Sequence, residues 1–277
     1  MKNGGKIFAL FGNPVGHSLS PLMHNAAFRR MGINALYVPF AIDRIGDAVS
    51  GIRALGISGV SVTIPFKTSV MDYLDCVDES AREIGAVNTI AKREGKLAGV
   101  NTDWVGLSAA LGGPLGISGK TFAIIGAGGA ARAAAYAVRK GGGTPVILNR
   151  TPEKAEALAR SVGGDACPLP RIGRLRAEGL INATPAGMYP HTDGLPVPAS
   201  CLGNFRRVIE TVYNPYETKL LKAAQAAGCR TVKGIEMFVR QGAEQIRTWT
   251  GIEPPRDFMK RTVAAALRKT EPEGKTR

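Results

Sequence analysis

The stretch "IIGAGGAARAA" at residues 124–134 decides the fold, because it has the pattern of a strand, a glycine turn and the start of a helix. Gly126 allows the tight turn, and Gly128 lets the backbone approach a pyrophosphate closely. Ala131 occupies the third position of the motif, where a small residue lets the helix pack on the strand. Free N–H groups at the start of the helix favour phosphate. The stretch therefore predicts a dinucleotide-binding Rossmann unit rather than a plain tight turn.

The end of the next strand selects the cofactor. A site for NAD usually carries an acidic residue there, which binds the ribose 2′-OH. This chain has Asn149, Arg150 and Thr151 instead, with Lys154 one turn later. Arg150 can stack on and pair with a 2′-phosphate, so the sequence predicts NADP rather than NAD. The alternative is that Thr151 caps the following helix, with Pro152 at its first position, and that Arg150 is an ordinary surface residue.

Strand and helix patterns alternate on the N-terminal side of this unit. Three segments have the composition of buried strands, namely "KIFALFG" (6–12), "ALYVPFAI" (35–42) and "SGVSVTI" (58–64). Helical patterns lie between them at 21–32 and 45–56, and residues 87–101 indicate a hairpin with "REGK" as its turn. This rhythm predicts a mainly parallel sheet covered by helices.

A second series of strands and helices begins after a glycine-rich join at 112–119. The last two helical patterns, near 235–250 and 256–268, have no strand of their own. We expect them to return and cover the first sheet. The sequence thus predicts an α/β protein of two α/β domains, a discontinuous one over 1–104 plus 237–277 and a Rossmann domain over 105–236.

Charge and composition limit the classes of partner. The 277 residues include 36 Lys and Arg against 22 Asp and Glu, a net charge of +14. Such a charge favours anionic partners, whether nucleic acid, phosphorylated cofactors or carboxylates. Aromatic residues do not interleave with the basic ones, so nucleic-acid binding is not expected. Part of the charge lies in the tail at 268–277, which is predicted to be disordered.

The chain has the features of a cytoplasmic enzyme. No apolar segment has the length of a membrane span, and the N-terminal segment lacks the apolar core of a signal peptide. The four cysteines form no CxxC pair and none has a histidine at ligand spacing, so we predict no metal site and no disulfide framework. Reduced thiols in the cytoplasm are the default for such a pattern.

Polar residues follow two strands of the first series. Thr63 and Lys67 lie in "SVTIPFK" (61–67), and Asp103 lies in "GVNTDWVG" (99–106). Ligands bind outside the carboxyl ends of parallel strands, and transfer of a hydride to or from an alcohol needs a proton acceptor near the hydroxyl. Lys67 can exchange that proton while Asp103 fixes its position. Considered separately, each residue is more often one partner of a surface ion pair.

Nine stretches make the sequence resemble the shikimate dehydrogenase family. They occur in the family's order and cover nearly the whole chain: "GNPVGHSLSPLMHN", "GVSVTIPFK", "GAVNT", "GVNTDWVG", "GAGGAARA", "NRT", "INATPAGM", "VYNPYETKLL" and "KGIEMFVRQG". The resemblance implies NADP-dependent, reversible interconversion of 3-dehydroshikimate and shikimate, in the pathway to the aromatic amino acids. It also implies a two-domain α/β fold with the active site in the cleft, a small-molecule substrate, and no nucleic-acid or membrane partner. A monomer or a homodimer is expected.

The resemblance also implies a role for individual residues. Lys67 and Asp103 match the catalytic pair. The substrate-binding positions are Ser18, Ser20, Thr63, Lys67, Asn88, Asp103, Tyr213 and Gln241. The cofactor-binding positions are Gly126, Ala127, Gly128, Gly129, Ala130, Asn149, Arg150, Thr151, Thr184, Met188, Val212 and Gly234, with Lys154 added from its charge.

Ser18 and Ser20 match the pair that holds the substrate carboxylate in the family. They are alternate residues, and in an extended segment alternate side chains point the same way, so both hydroxyls can reach one carboxylate. The alternative is that Ser20, just before Pro21, only caps the following helix.

Two rival functions stay open at this level. One is the broader quinate/shikimate branch of the family, which uses NAD, and the other is a cofactor-sensing regulatory module that keeps the fold without catalysis. The chain also departs from the family pattern at Glu210, where Asp is commoner, and at Phe238, where Leu is commoner.

Overall fold

The N-terminal strands form a six-stranded sheet. In the computed structural model, which describes residues 4–270, these strands are β1 (Lys6–Gly12), β2 (Ala35–Ala41), β3 (Gly59–Val62), β4 (Cys76–Val77), β5 (Thr89–Arg93) and β6 (Lys96–Val100). Their order in the sheet is β2-β1-β3-β5-β6-β4. Only β5 runs antiparallel to its neighbours, because the predicted hairpin joins it to β6. The helices of this part are α1 (Ser20–Arg30), α2 (Ile45–Ala54), α3 (Glu79–Ile84) and α4 (Asp103–Ala110).

The second series forms a separate six-stranded sheet. Its strands are β7 (Thr121–Ile125), β8 (Thr144–Leu148), β9 (Asp165–Ala166), β10 (Ala177–Asn182), β11 (Phe205–Glu210) and β12 (Arg230–Val232). All pairs are parallel, in the order β12-β11-β10-β7-β8-β9. From β7 the chain continues to β8 and β9 on one side and then returns to β10 on the other side of β7. This change of direction opens a crevice at the carboxyl end of β7. The prediction of two α/β units, one of them a Rossmann sheet, is confirmed.

Helices cover this second sheet, and one of them was not expected. They are α5 (Gly113–Ile117), α6 (Gly129–Lys140), α7 (Pro152–Val162) and α8 (Lys219–Ala226). Helix α5 lies inside the segment interpreted as a glycine-rich join. Pro114 is tolerated in its first turn. Position 116 accepts only glycine, because a Cβ there would lie 2.0 Å from the Leu111 carbonyl oxygen.

The last two helices, α9 (Gly234–Thr250) and α10 (Arg256–Thr270), return to the first sheet as expected. Their apolar residues share a core with β1 and α1. Trp249 anchors α9, since its ring lies 4.9 Å from that of Phe8 and its Nε1 donates to the Ile90 carbonyl at 3.0 Å. The boundaries 1–104 plus 237–277 and 105–236 stay a prediction.

Two further observations concern the C-terminal segment and the bilayer. Helix α10 extends to Thr270, so the prediction of disorder from residue 268 is wrong for its first three positions, and residues 271–277 lie outside the described part. No helix within residues 4–270 is both long enough and apolar enough to cross a membrane.

Candidate active site

Lys67 and Asp103 form a shielded ion pair at the carboxyl edge of the first sheet. The Lys67 Nζ donates to Asp103 Oδ2 at 2.6 Å, and the side chains are 16% and 4% exposed. Lys67 follows β3, and Asp103 is the first residue of α4, directly after β6. Asn101 lies just before Thr102, the N-cap residue of α4, and its Oδ1 accepts the N–H groups of Asp103 at 2.9 Å and Trp104 at 3.4 Å. These bonds fix the carboxylate at the helix start, where the helix dipole favours a negative charge.

Asn88 holds the second oxygen of the same carboxylate. Its Nδ2 donates to Asp103 Oδ1 at 2.9 Å, and its Oδ1 accepts the Thr102 backbone N–H at 2.7 Å. Both oxygens of Asp103 therefore have a donor, and the Lys67 ammonium keeps further N–H groups for a ligand.

The pair faces a cleft of about 280 Å³ between the two sheets. All the predicted substrate-binding side chains line this cleft: Ser18, Ser20, Thr63, Lys67, Asn88, Asp103, Tyr213 and Gln241. Hydroxyl, amide and ammonium groups therefore converge on one small cavity. Such a lining suits a small polyhydroxylated anion.

The serine segment has a different conformation from the one expected. Residues 16–17 form a turn, so Ser18 and Ser20 do not lie on an extended strand. Ser20 begins α1 itself, and its backbone N–H donates to Ser18 Oγ at 3.2 Å. The interpretation of Ser20 as the N-cap is therefore wrong, because Leu19 occupies that position. Both serines nevertheless line the cleft.

Tyr213 bridges the two sides of the cleft. Its hydroxyl accepts the Leu19 backbone N–H at 3.3 Å, and its ring stacks on Phe238 with the centroids 3.9 Å apart. A leucine at position 238 has no ring face to offer, so the departure at Phe238 strengthens the support of Tyr213.

A second cavity, of about 810 Å³, contains the glycine turn. Gly126 has φ +116°, and a Cβ there would lie 2.9 Å from the Ala183 carbonyl oxygen, so only glycine fits. No atom lies within 4 Å of the Cβ position of Gly128, which leaves its backbone open to a ligand. The other lining residues from the cofactor set are Ala127, Gly129, Ala130, Asn149, Arg150 and Thr184. This lining fits a dinucleotide with a phosphate near Arg150.

The remaining members of the cofactor set lie elsewhere. Met188 and Val212 line the first cleft, and Gly234 packs on Val212, where a Cβ would lie 2.1 Å from its carbonyl oxygen. Thr151 and Lys154 are exposed at the start of α7. Thr151 is the N-cap residue of α7 and Pro152 its first residue, as the helix-cap interpretation expected, but the Thr151 side chain makes no capping hydrogen bond.

The two cavities adjoin, and Lys67, which lines the first, lies beside the second. They share the lining residues Ile64, Ala130, Ala183, Thr184 and Pro185. A Cβ added to Gly129 would lie 3.0 Å from Lys67 Cδ, so the lysine stem packs directly on the glycine turn. The arrangement can exchange a proton beside a bound dinucleotide.

Glu210 is a fully buried carboxylate at the end of β11. Its Oε1 accepts from Asn182 Nδ2 at 2.9 Å, Thr211 N at 2.9 Å and Val212 N at 3.0 Å, and its Oε2 accepts from Thr218 Oγ1 at 2.9 Å. Burial raises the pKa of Glu210 to about 7, although these hydrogen bonds oppose the shift. Through its hydrogen bonds the glutamate ties the end of β10 to the loop after β11.

We expect Glu210→Gln to flatten the pH dependence of stability. The folded-state pKa of about 7 lies above the ordinary value of 4.5, so the folded protein holds the proton more tightly. The resulting stabilisation is complete below pH 4.5 and is lost as the pH rises through 7, a change of about 3 kcal/mol. Urea unfolding at intervals from pH 5 to 8 measures it.

The comparison of the two proteins at each pH isolates Glu210. Burial lowers the pKa of His24 to about 4, so His24 contributes an opposite slope between pH 4 and 6.5 in both proteins. The amide is expected to destabilise the fold at the acidic end of this range, because its single oxygen cannot replace both oxygens of the carboxyl group. Parallel curves for the two proteins would contradict the expectation.

Ser61 and Gln245 are among the polar cleft residues that the predicted site set omitted. Ser61 Oγ donates to Gln245 Oε1 at 2.9 Å, and both side chains are buried. Periodicity offered a signal for each. Ser61 is two residues from Thr63 in an extended segment, and Gln245 is one helical turn from Gln241.

Three family models match the chain. The model "Shikimate dehydrogenase substrate binding domain" matches residues 10–90, "Shikimate / quinate 5-dehydrogenase" matches residues 111–186, and "Shikimate 5'-dehydrogenase C-terminal domain" matches residues 234–264. A curated relative, the shikimate dehydrogenase (NADP(+)) of Pyrococcus abyssi, is 46% identical over 267 residues. The match covers 95% of this chain and 99% of the relative.

Solved structures agree with these matches. A shikimate dehydrogenase in complex with NADP+ has a TM-score of 0.88 at 41% identity, covering 95% of this chain and 96% of that one. The Thermus thermophilus shikimate 5-dehydrogenase in complex with NADP(H) and shikimate has a TM-score of 0.85 at 36% identity, covering 95% and 100%. The Corynebacterium glutamicum quinate dehydrogenase in complex with NAD has a TM-score of 0.85 at 31% identity, covering 94% and 99%. The similarity extends over both sheets.

Proposed function

Because this chain belongs to the shikimate dehydrogenase family, we propose that Lys67 and Asp103 are the catalytic pair of its reaction. The chain is an NADP-dependent oxidoreductase that reversibly reduces 3-dehydroshikimate to shikimate, on the route to chorismate and the aromatic amino acids. The observation that supports the pair is its position. A lysine and a carboxylate 2.6 Å apart line the substrate-sized cleft, and the lysine stem packs on Gly129 of the dinucleotide cavity.

Each member of the pair has its own task. In the reducing direction the Lys67 ammonium donates a proton to the carbonyl oxygen of the substrate, and in the oxidising direction the neutral amine takes the hydroxyl proton back. Asp103 holds the Lys67 Nζ in place and balances its charge. The nicotinamide, when bound, supplies or accepts the hydride.

The other residues of the cleft bind and orient the substrate. Ser18 and Ser20 meet its carboxylate, while Thr63, Asn88 and Gln241 meet its hydroxyls. Lys67 and Asp103 also contact the reacting oxygen, and Tyr213 closes the edge of the site. Buried amide and hydroxyl groups of this kind discriminate strongly, because an analogue without the matching group leaves them unpaired.

The glycine turn and the residues after β8 hold the cofactor in this proposal. Gly126 to Ala130 face the pyrophosphate, and Arg150 pairs with the 2′-phosphate, beside Asn149, Thr151 and Lys154. Thr184, Met188, Val212 and Gly234 lie along the remainder of the cofactor. The discontinuous substrate domain over 1–104 plus 237–277 and the nucleotide domain over 105–236 form the two walls.

A grid of four assays tests the function. Purified protein is given shikimate or quinate with NADP+ or NAD+, and the absorbance of reduced nicotinamide is followed. We expect rapid turnover with shikimate and NADP+ only. Turnover with quinate and NAD+ would move the chain to the quinate branch, which the similarity to the quinate dehydrogenase keeps as the second candidate. No turnover in any well, with NADP+ still bound, would favour the sensor.

We expect Arg150→Ala to raise KM for NADP+ about tenfold to a hundredfold in the same grid. The variant loses a charge-assisted hydrogen bond to the 2′-phosphate, worth about 1.5–3 kcal/mol. KM for NAD+, which lacks that phosphate, is expected to change little. Arg160→Ala is the matched control, since Arg160 is an exposed arginine of α7 that pairs with Glu156 at 3.8 Å. Equal effects on both cofactors would remove Arg150 from the phosphate site.

Partners and location complete the proposal. We infer a cytoplasmic enzyme that is a monomer or a homodimer and acts on a small molecule without nucleic-acid or membrane partners. The four cysteines, Cys76, Cys167, Cys201 and Cys229, are free thiols. Sedimentation of the purified protein would distinguish the monomer from the dimer.

A further inference from the structure

A chain of buried hydrogen bonds runs from helix α9 to the catalytic pair. Gln245 Nε2 donates to Thr89 Oγ1 at 3.0 Å, and Thr89 Oγ1 donates to Asn88 Oδ1 at 2.8 Å. Asn88 Nδ2 in turn donates to Asp103 Oδ1 at 2.9 Å. Thr89 is 0% exposed, and Asn88 and Gln245 are each 2% exposed, so water does not replace any of these contacts.

Two main-chain groups fix the direction of every bond in this chain. The Thr102 backbone N–H can only donate, and it lies 2.7 Å from Asn88, so the amide atom facing it is the oxygen. The Asn88 carbonyl oxygen can only accept, and it lies 3.2 Å from Gln245 Nε2, so that atom is the nitrogen. The Thr89 hydroxyl therefore accepts from Gln245 and has its proton available for Asn88.

This direction matters for Asp103. The terminal torsion of an asparagine side chain is broad and roughly two-fold, so an unsupported amide can turn over. A turned Asn88 would present its oxygen to the Asp103 carboxylate, where two acceptors would repel each other. The Asn88 oxygen accepts from the Thr102 backbone N–H at 2.7 Å and from the Thr102 hydroxyl at 3.3 Å. The Thr89 hydroxyl, at 2.8 Å, adds a further buried donor and opposes that rotation.

We propose that Thr89 and Gln245 are positioning residues for the reaction. They hold the Asn88 amide with its N–H groups toward Asp103, and through it they keep the carboxylate aimed at Lys67 Nζ. Neither residue needs to touch the substrate for this role. The inference rests on the proposed function, since it assigns the chain of bonds to the same reaction.

Thr89→Val tests the proposal, because valine keeps the branched shape and removes the hydroxyl. We expect kcat with shikimate and NADP+ to fall about fivefold to tenfold, the size of one net hydrogen bond, with KM for shikimate changed less than about twofold. Thr89→Ser restores the hydroxyl and is expected to recover at least about half of the lost kcat. Thr144→Val is the matched control, since Thr144 is an exposed residue that begins β8 in the other sheet, and its kcat should equal that of the wild type.

The outcomes separate the inference from the function. An inactive wild-type protein in the four-assay grid would overturn the proposed function itself. An active wild type with an unchanged kcat for Thr89→Val would overturn only the positioning role. A fall that Thr89→Ser does not recover, or a rise in KM alone, would also overturn it, because each would indicate a packing or binding effect instead.

A second variant tests whether Gln245 acts through Thr89. Gln245→Met keeps the length of the side chain and removes its donors, so kcat should again fall about fivefold to tenfold. Residues of one chain of hydrogen bonds act as a unit. The kcat of the double variant Thr89→Val with Gln245→Met should therefore lie within about twofold of the kcat of the slower single variant. Losses that multiply fully would show that Gln245 acts by another route and would overturn the shared chain. Melting temperatures of all variants confirm that folded protein is compared.

Discussion

Lys67→Ala is expected to lower kcat by about two to four orders of magnitude while KM for shikimate changes little. The loss corresponds to removal of a positioned general acid and base. A group used mainly in the transition state affects turnover far more than substrate binding, and single-turnover kinetics with shikimate and NADP+ separate the two. The structure leads to this expectation because the Lys67 Nζ is shielded and held at 2.6 Å by Asp103, in the cleft beside the dinucleotide cavity.

Lys67→Arg separates proton exchange from charge. Arginine keeps a cation beside Asp103, but its guanidinium does not give up a proton in proteins. We therefore expect Lys67→Arg to be nearly as slow as Lys67→Ala, although it spares the fold an unpaired buried carboxylate. Lys92→Ala, on the exposed end of β5, is the control for a lysine outside the cleft. A normal kcat with a raised KM in Lys67→Ala would contradict the role in proton transfer.

Local patterns carried the prediction of the fold. The glycine turn predicted the strand that ends at Ile125 and the helix that begins at Gly129, because both depend on residues within one short segment. The strands at 6–12, 35–42 and 58–64 were located within two residues for the same reason. Strand order is a different matter, since pairing between β1 and β3 joins segments about fifty residues apart and composition alone does not specify it.

The departures from the sequence reasoning arise where a side chain's partner is distant or its backbone is irregular. Ser18 and Ser20 lie beyond a turn at residues 16–17 that no alternation could indicate. Ser61 bonds to Gln245 across 184 residues of sequence, and Thr89 bonds to Gln245 across 156. Such contacts depend on the return of α9 to the first sheet, so they become visible only once the chain is folded.

The glutamate at position 210 shows what a single departure from a family pattern can and cannot reveal. The sequence marked it as longer than the common aspartate but offered no partner for the extra methylene. The structure supplies four donors, one from Asn182 at the end of β10, two from the backbone directly after β11 and one from Thr218. The effect on pH dependence follows from that burial, which the residue type alone does not indicate.

Asp103→Asn is expected to lower kcat by about two to three orders of magnitude. One amide cannot satisfy both neighbours, because Lys67 Nζ and Asn88 Nδ2 are both donors to Asp103. In either orientation of the new side chain its NH₂ group faces a donor, and the shielded ammonium loses its counter-charge. The Lys67 ammonium is then no longer held in place, and a positioned general acid and base contributes about two to four orders of magnitude to the rate, which is the basis of the expected loss. Initial rates with saturating shikimate and NADP+ measure it.

Asp75→Asn is the matched control for that measurement, because the Arg53–Asp75 pair has the same separation of 2.6 Å but exposures of 46% and 35%. We expect the control to leave kcat unchanged, since exposed pairs contribute little and this one lies outside the cleft. A double variant then tests the pair itself. If Asp103 works only by holding and balancing Lys67, Lys67→Ala with Asp103→Asn should be about as slow as Lys67→Ala alone, as for residues that act as a unit. Losses that multiply would show that the proposed contact of Asp103 with the reacting oxygen contributes to kcat independently of Lys67.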